Sequence, residues 1–190
     1  MNPKPYFRNP LIYILTLLCA WITIPCLGAV LPVDLRCEYR VDPLGIDNPT
    51  PRLSWKIVDA EKTRDQKQTG YQVLVASSME NLNQDTGDLW DSRGVVSAQS
   101  VNNVYAGAPL KSGQPCFWKV RIKDAGNELS EWSAAARFSI GLLDSKDWKG
   151  QWIQKADQTK MDHNWYRKNF ILNESPESGL VYIASLGYHE

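Results

Sequence analysis

Cys116-Phe-Trp-Lys-Val-Arg-Ile122 decides the fold. Cys116, Trp118, Val120 and Ile122 fall on one side of an extended chain, and Phe117, Lys119 and Arg121 fall on the other. A period of two belongs to a β-strand whose faces meet different surroundings. The same rhythm recurs upstream. Leu53, Trp55 and Ile57 alternate with Arg52, Ser54 and Lys56, Tyr71, Val73 and Val75 form another row, and Leu35, Cys37 and Tyr39 alternate with Arg36, Glu38 and Arg40. Shorter strands are predicted at 88–92 and around 101–105, and a closing one within 132–142 carries Phe138 and Ile140. Turn-forming residues separate these rows: Pro43 to Pro51 is dense in Pro, Gly, Asn and Asp, 59–69 is charged and polar, and Asp124-Ala-Gly-Asn-Glu128 reads as a hairpin connection. No 3.6-residue period competes with this pattern. About seven strands in about 110 residues predict an all-β, two-sheet antiparallel sandwich of the fibronectin-III or immunoglobulin kind over residues 33–143. Trp55 and Trp118 sit on inward phases and are expected to fill its core.

The flanks differ. Leu11 to Pro25 is an apolar run preceded by Lys4 and Arg8, with small Gly28 and Ala29 after it. It is short of the roughly 20 residues a spanning helix needs, so residues 1–28 read as a cleaved signal peptide, and the protein is expected to be exported to the periplasm or cell surface. Cys37 and Cys116 remain after cleavage. Export permits a disulfide, but their inward phases favour two buried free thiols. Residues 144–150 are polar and read as a linker. Beyond them, 151–154, 165–172 and 179–185 each resemble a strand, too few to bury a sheet face alone, so 151–190 is expected to be the incomplete start of a second, jelly-roll-like domain.

The chain balances 21 basic against 21 acidic residues, and without Lys4 and Arg8 it sits near −2. It holds no basic patch, so nucleic acid and anionic membrane are not expected partners. Its 43% apolar content with eight Trp and eight Tyr excludes a disordered chain. Two cysteines without a nearby His pair predict no metal site, and the absence of a phosphate-cradling loop or nucleophile elbow predicts no cofactor. The acids lie mostly in loops and turns, where solvation explains them. His163 beside Asp162 and His189 beside Glu190 read as surface residues. No catalytic residue is assigned. The one candidate binding feature is a sugar platform of Trp148, Trp152 and Trp165, whose ring faces suit sugar C–H faces, weighed against simple packing of these rings.

The ordered series Leu35-Arg-Cys-Glu-Tyr-Arg-Val-Asp-Pro-Leu-Gly-Ile46, Pro51-Arg-Leu-Ser-Trp55, Tyr71-Gln-Val-Leu-Val-Ala-Ser77 and Gly87-Asp-Leu-Trp-Asp-Ser92 resembles the N-terminal region of bacterial α-L-rhamnosidases. So do Trp118-Lys-Val-Arg121, Ser130-Glu-Trp-Ser133, Phe138-Ser-Ile-Gly-Leu-Leu143 and Trp148-Lys-Gly-Gln-Trp-Ile153. Tyr166-Arg-Lys-Asn-Phe170 and Tyr182-Ile-Ala-Ser-Leu-Gly-Tyr188 resemble the jelly-roll that follows in that family. The resemblance implies a fibronectin-III-like module ahead of β-sandwich modules, an α-barrel and a small C-terminal β-domain. It implies a parent activity that hydrolyses terminal α-L-rhamnosyl bonds with inversion, using two carboxylates roughly 6.5–9.5 Å apart. Those carboxylates belong to the barrel, so the resemblance places no catalytic residue in 1–190. The chain is expected to be inactive alone and to meet rhamnose-containing glycan through the parent enzyme. An independent carbohydrate-binding or adhesion module and a structural spacer are the alternatives.

Overall fold

The computed structural model describes residues 30–60, 62, 64–154, 166–176 and 179–185. The signal-peptide reading of 1–28 therefore lies outside the described residues. The chain divides into two compact units, 1–149 and 150–190.

In the first unit, strands β1 (Val30–Cys37), β2 (Arg52–Asp59) and β6 (Asn103–Val104) make a three-stranded sheet in the order β1-β2-β6. Strands β3 (Gly70–Ala76), β4 (Trp90–Asp91), β7 (Pro115–Lys123) and β8 (Ala136–Ser139) make the other, in the order β4-β3-β7-β8, with β5 (Val95–Val96) also on β3. Every strand pair is antiparallel. The predicted alternation decides which side chains meet between the sheets. Cys37, Leu53, Trp55, Val73, Val75, Cys116, Trp118, Val120, Ile122 and Phe138 form one buried cluster. Trp55 meets Tyr71 edge to face at 5.1 Å between ring centres, and its indole N–H donates to Gln68 Oε1 at 2.9 Å.

The two sheets are tied by a crossover after β1. Ile46 bridges Ile140 in parallel, its N–H donating to the Ser139 carbonyl at 2.8 Å and its carbonyl accepting from Gly141 N–H at 2.8 Å. This covers one edge of β8.

The structure departs from the sequence expectations at several points, each with a local cause. Tyr39 does not continue β1 inward; it is 52% exposed. Cys37 and Arg40 exchange backbone hydrogen bonds at 2.9 and 3.0 Å, and Glu38 and Tyr39 between them both have positive φ, 47° and 65°. That is a two-residue hairpin turn normally written with Asn and Gly, so the residue types concealed it. Gln68 belongs to the stretch expected to be a solvated loop, yet it is buried, because it accepts from Trp55 and donates to the Ser97 and Gln99 carbonyls. A five-residue helix α1, Met79–Asn83, appears where no helical period was legible. It is too short to show one; Ser78 caps it by accepting from Asn81 N–H at 3.2 Å. Its Leu82 packs with Leu74 and Ala76 into a small second cluster on the outer face of the five-stranded sheet.

The stretch expected to be a linker, 144–150, carries a 3-10 turn over Ser145–Asp147 capped by Asp144. Ser112 holds it to the sandwich, its hydroxyl bonding the Asp147 carboxylate and accepting from Leu143 N–H. In the second unit, the described parts of the expected strands at 151–154, 165–172 and 179–185 hold no strand or helix and are exposed throughout.

Candidate functional site

The outer face of the five-stranded sheet gathers a connected set of polar side chains. It follows from register. Gln72 lies opposite Arg121, Leu74 opposite Lys119 and Ala76 opposite Phe117, all pointing away from the core. Arg121 donates from Nε at 3.0 Å and from Nη2 at 2.8 Å to the single oxygen of Gln72, and Gln72 Nε2 donates to Asp91 Oδ1 at 2.8 Å. Trp132 lies against two cations, with Arg121 Cζ 4.5 Å and Lys119 Nζ 5.1 Å from its ring centre. Lys119, itself buried, ion-pairs with Asp85.

Trp132 is held there by its neighbours in Ser130-Glu-Trp-Ser133. The Ser130 and Ser133 hydroxyls accept from Ile122 N–H at 3.0 Å and Val120 N–H at 3.1 Å, and both hydroxyls are buried between backbone segments. The sequence reading begins a strand at Trp132, but the serines hold this stretch by their side chains and β8 starts only at Ala136. Chemically, the face offers two cations stacked on Trp132, Arg121 held by hydrogen bonds to the Gln72 amide and Lys119 by its ion pair to Asp85.

A second cluster braces the Glu38–Tyr39 turn. The Glu38 carboxylate accepts from Arg52 N–H at 2.7 Å, from Asn48 Nδ2 at 3.2 Å and from the Arg52 guanidinium. Arg52 lies 4.8 Å over the Tyr39 ring. The Arg52 hydrogen bonds hold Glu38 below its ordinary carboxylate range. Asp34 is lowered likewise by its bonds to Lys56 and Arg36, and Asp144 by its bonds to Lys146. A glycosidase general acid needs the opposite displacement. These carboxylates stabilise turns and strands and are not tuned to donate a proton.

Cys37 and Cys116 are both buried and free. Burial pushes both thiols up, Cys116 to about 12, so neither is a nucleophile at neutral pH. No group of three metal-ligating side chains exists among the described residues, and no helix there is long and apolar enough to cross a membrane. Of the Trp platform, Trp148 is 39% exposed at the end of the first unit and Trp152 is 71% exposed in the second. Trp165 lies outside the described residues. The Lys119–Trp132–Arg121 arrangement was missed by the sequence reading. Its signal was the outward phase of two basic residues on a strand otherwise buried.

Residues 32–144 match the family described as the Rha78A-like, N-terminal immunoglobulin domain. Relatives found by sequence carry the name α-L-rhamnosidase. One from Streptomyces avermitilis is 46% identical over 61% of this chain and 11% of its own length. One from Formosa agariphila is 32% identical over 97% of this chain and 21% of its own. Among solved structures, α-L-rhamnosidase from Dictyoglumus thermophilum superposes with a TM-score of 0.63 and 39% identity, over 67% of this chain and 14% of that one. The Streptomyces avermitilis α-L-rhamnosidase complexed with L-rhamnose gives a TM-score of 0.62 at 42% identity, over 66% of this chain and 12% of that one. The chain thus spans about a fifth or less of these relatives. Sheet order, inward rows and this match agree: the chain belongs to the family of Rha78A-like N-terminal immunoglobulin domains.

Proposed function

We propose that this chain is the non-catalytic N-terminal portion of an exported α-L-rhamnosidase, whose parent activity is hydrolysis of terminal α-L-rhamnosyl bonds. The observation that carries the reading is the pairing of a family match over 32–144 with relatives named α-L-rhamnosidase that are covered only to 11–21%. The chemistry agrees. Inverting hydrolysis needs two carboxylates facing each other across an enclosed sugar, one of them with a raised pKa. Among the described residues the carboxylates with displaced titration, Asp34, Glu38, Asp88 and Asp144, are all lowered. Rhamnose-containing glycan is then met through the rest of the enzyme.

Two measurements test this. The purified chain should release no rhamnose from an aryl α-L-rhamnoside; turnover abolished by one Asp or Glu substitution within 29–190 overturns the non-catalytic assignment. Sequencing the DNA downstream should reveal a continuation, in frame or restored by one frameshift, that encodes the barrel and its carboxylates. Export is checked by the intact mass of the natively expressed protein, which should begin near Ala29.

A further inference from the structure

A groove of about 280 Å³ opens at the end of the five-stranded sheet, where β5 and the last residues of β7 flank the start of β3. It is near the lower end of ligand-cleft sizes, roughly 300 Å³. Val95, Val96, Leu129 and Tyr71 line it with apolar surface, and Arg121 and Lys123 line it with charge. Val96 is 94% exposed.

Its cations differ from six others of the sandwich. Arg36, Arg52, Lys56, Arg93, Lys119 and Lys146 each pair with a carboxylate. Among the described residues no carboxylate lies within ion-pairing distance of Arg121 or Lys123. Asp91 is one amide removed from Arg121, through Gln72. Asp124, next to Lys123, is engaged by Glu128 N–H at 2.9 Å. The Arg121 guanidinium is nonetheless fixed, by two bonds to Gln72 Oε1 and by its stack on Trp132. Those bonds use Nε and Nη2 and leave Nη1 free of them. A fixed guanidinium beside a lysine and an apolar wall is complementary to an anion carried on a body with an apolar face.

We propose that this groove binds one acidic sugar residue of a glycan chain, its carboxylate on Arg121 and Lys123 and its C–H face on Val96 and Leu129. The choice of sugar rests on the α-L-rhamnosidase reading, which places the chain among glycans. The backbone supports it too. In the groove floor β3 pairs with β7 on one side and with β4 and β5 on the other. An extended peptide would find no free ladder groups there, so recognition falls to side chains.

The test titrates the isotopically labelled chain with trigalacturonic acid and, separately, with its neutral trimethyl ester. The acid should shift the amides of Tyr71, Val95, Val96, Arg121 and Leu129, while the ester leaves them in place. Lys123→Gln should weaken binding about tenfold, the loss of one charge-assisted contact; Arg121→Gln should do so at least as strongly. Lys123→Gln touches no core residue, so it reads binding even if Arg121→Gln unfolds the sheet. Equal shifts with acid and ester overturn the proposal. So does a Lys123→Gln variant of native spectrum and unchanged affinity, or tighter binding of a polyglutamate peptide at the same amides, which would make the groove a protein interface. The downstream reading frame decides the parent enzyme independently, so either reading can fail while the other stands.

Discussion

Cys116–Ile122 and Tyr166–Leu172 use similar residue types with opposite results. The first mixes Cys, Phe, Trp, Val and Ile with Lys and Arg; the second mixes Tyr, Phe, Ile and Leu with Arg, Lys and Asn. The first is a strand bonded on both sides, to β3 over Gly70–Ala76 and to β8 over Ala136–Ser139, with Trp118, Val120 and Ile122 wholly buried. The second forms no strand, and Ile171 is 93% exposed. Apolar content makes a segment fit for a sheet. A strand follows only when neighbours take its backbone groups and a second layer takes its apolar face.

The sharpest break of that comparison is Trp118→Ala. It removes the largest wholly buried side chain of the sandwich and should cost about 3–5 kcal/mol in denaturant unfolding. A loss under 1 kcal/mol would mean the two sheets do not close on this ring.

The two core tryptophans sharpen it further. Trp55 Nε1 donates to Gln68 Oε1, whose amide nitrogen is already committed to two carbonyls. Trp118 Nε1 is buried without a hydrogen-bond partner. Trp55→Phe therefore orphans a buried oxygen, whereas Trp118→Phe removes an orphaned donor. Trp55→Phe should be the more destabilising by about 1–2 kcal/mol; equal losses would show that ring volume alone decides both sites.

Next in size is the braced turn. Glu38→Gln should cost about 1–2 kcal/mol at pH 7. The sign of its pH dependence is fixed. Arg52 lowers the Glu38 pKa from 4.5 in the folded state, so its contribution is complete above that value and is lost as pH falls through the lowered one. The gap between wild type and variant, followed by chemical denaturation, should hold from pH 7 down to 4.5 and close as the pH falls on through the lowered value. A gap that persists at pH 2–3 would assign the effect to shape rather than charge.

The two-sheet fold was legible because the long strands obey period two and their large residues share a phase. What was not legible was made by side chains acting on backbone at a distance. The Glu38–Tyr39 turn lacks the usual residues because the Glu38 carboxylate and Arg52 hold it. Gln68 reads as loop until its indole partner is known, and the Ser130 and Ser133 hydroxyls stand in for a strand's carbonyls. The groove was illegible for the same reason. Arg121 and Lys123 look like ordinary outward residues, and only register brings them beside Val96.

The smallest expected effect tests the other side of the comparison. Ile171→Ser should change unfolding stability by less than about 0.5 kcal/mol, because a side chain already in water has no burial to lose. For the same reason the described amides of 166–172 should exchange faster than those of 116–122, whose strand is paired with β3 throughout and flanked by β8 and the Ser130 and Ser133 hydroxyls on its other side. Limited proteolysis should cut within 150–190 before it cuts within 30–149. The result that breaks the comparison is a loss above 1 kcal/mol for Ile171→Ser together with slow exchange at 166–172. That would mean the segment finds a partner in solution, such as a second copy of the chain, and dilution should then restore fast exchange. If dilution changes nothing, the segment folds within one chain, and its residue types suffice for structure without the second layer that Trp118 requires.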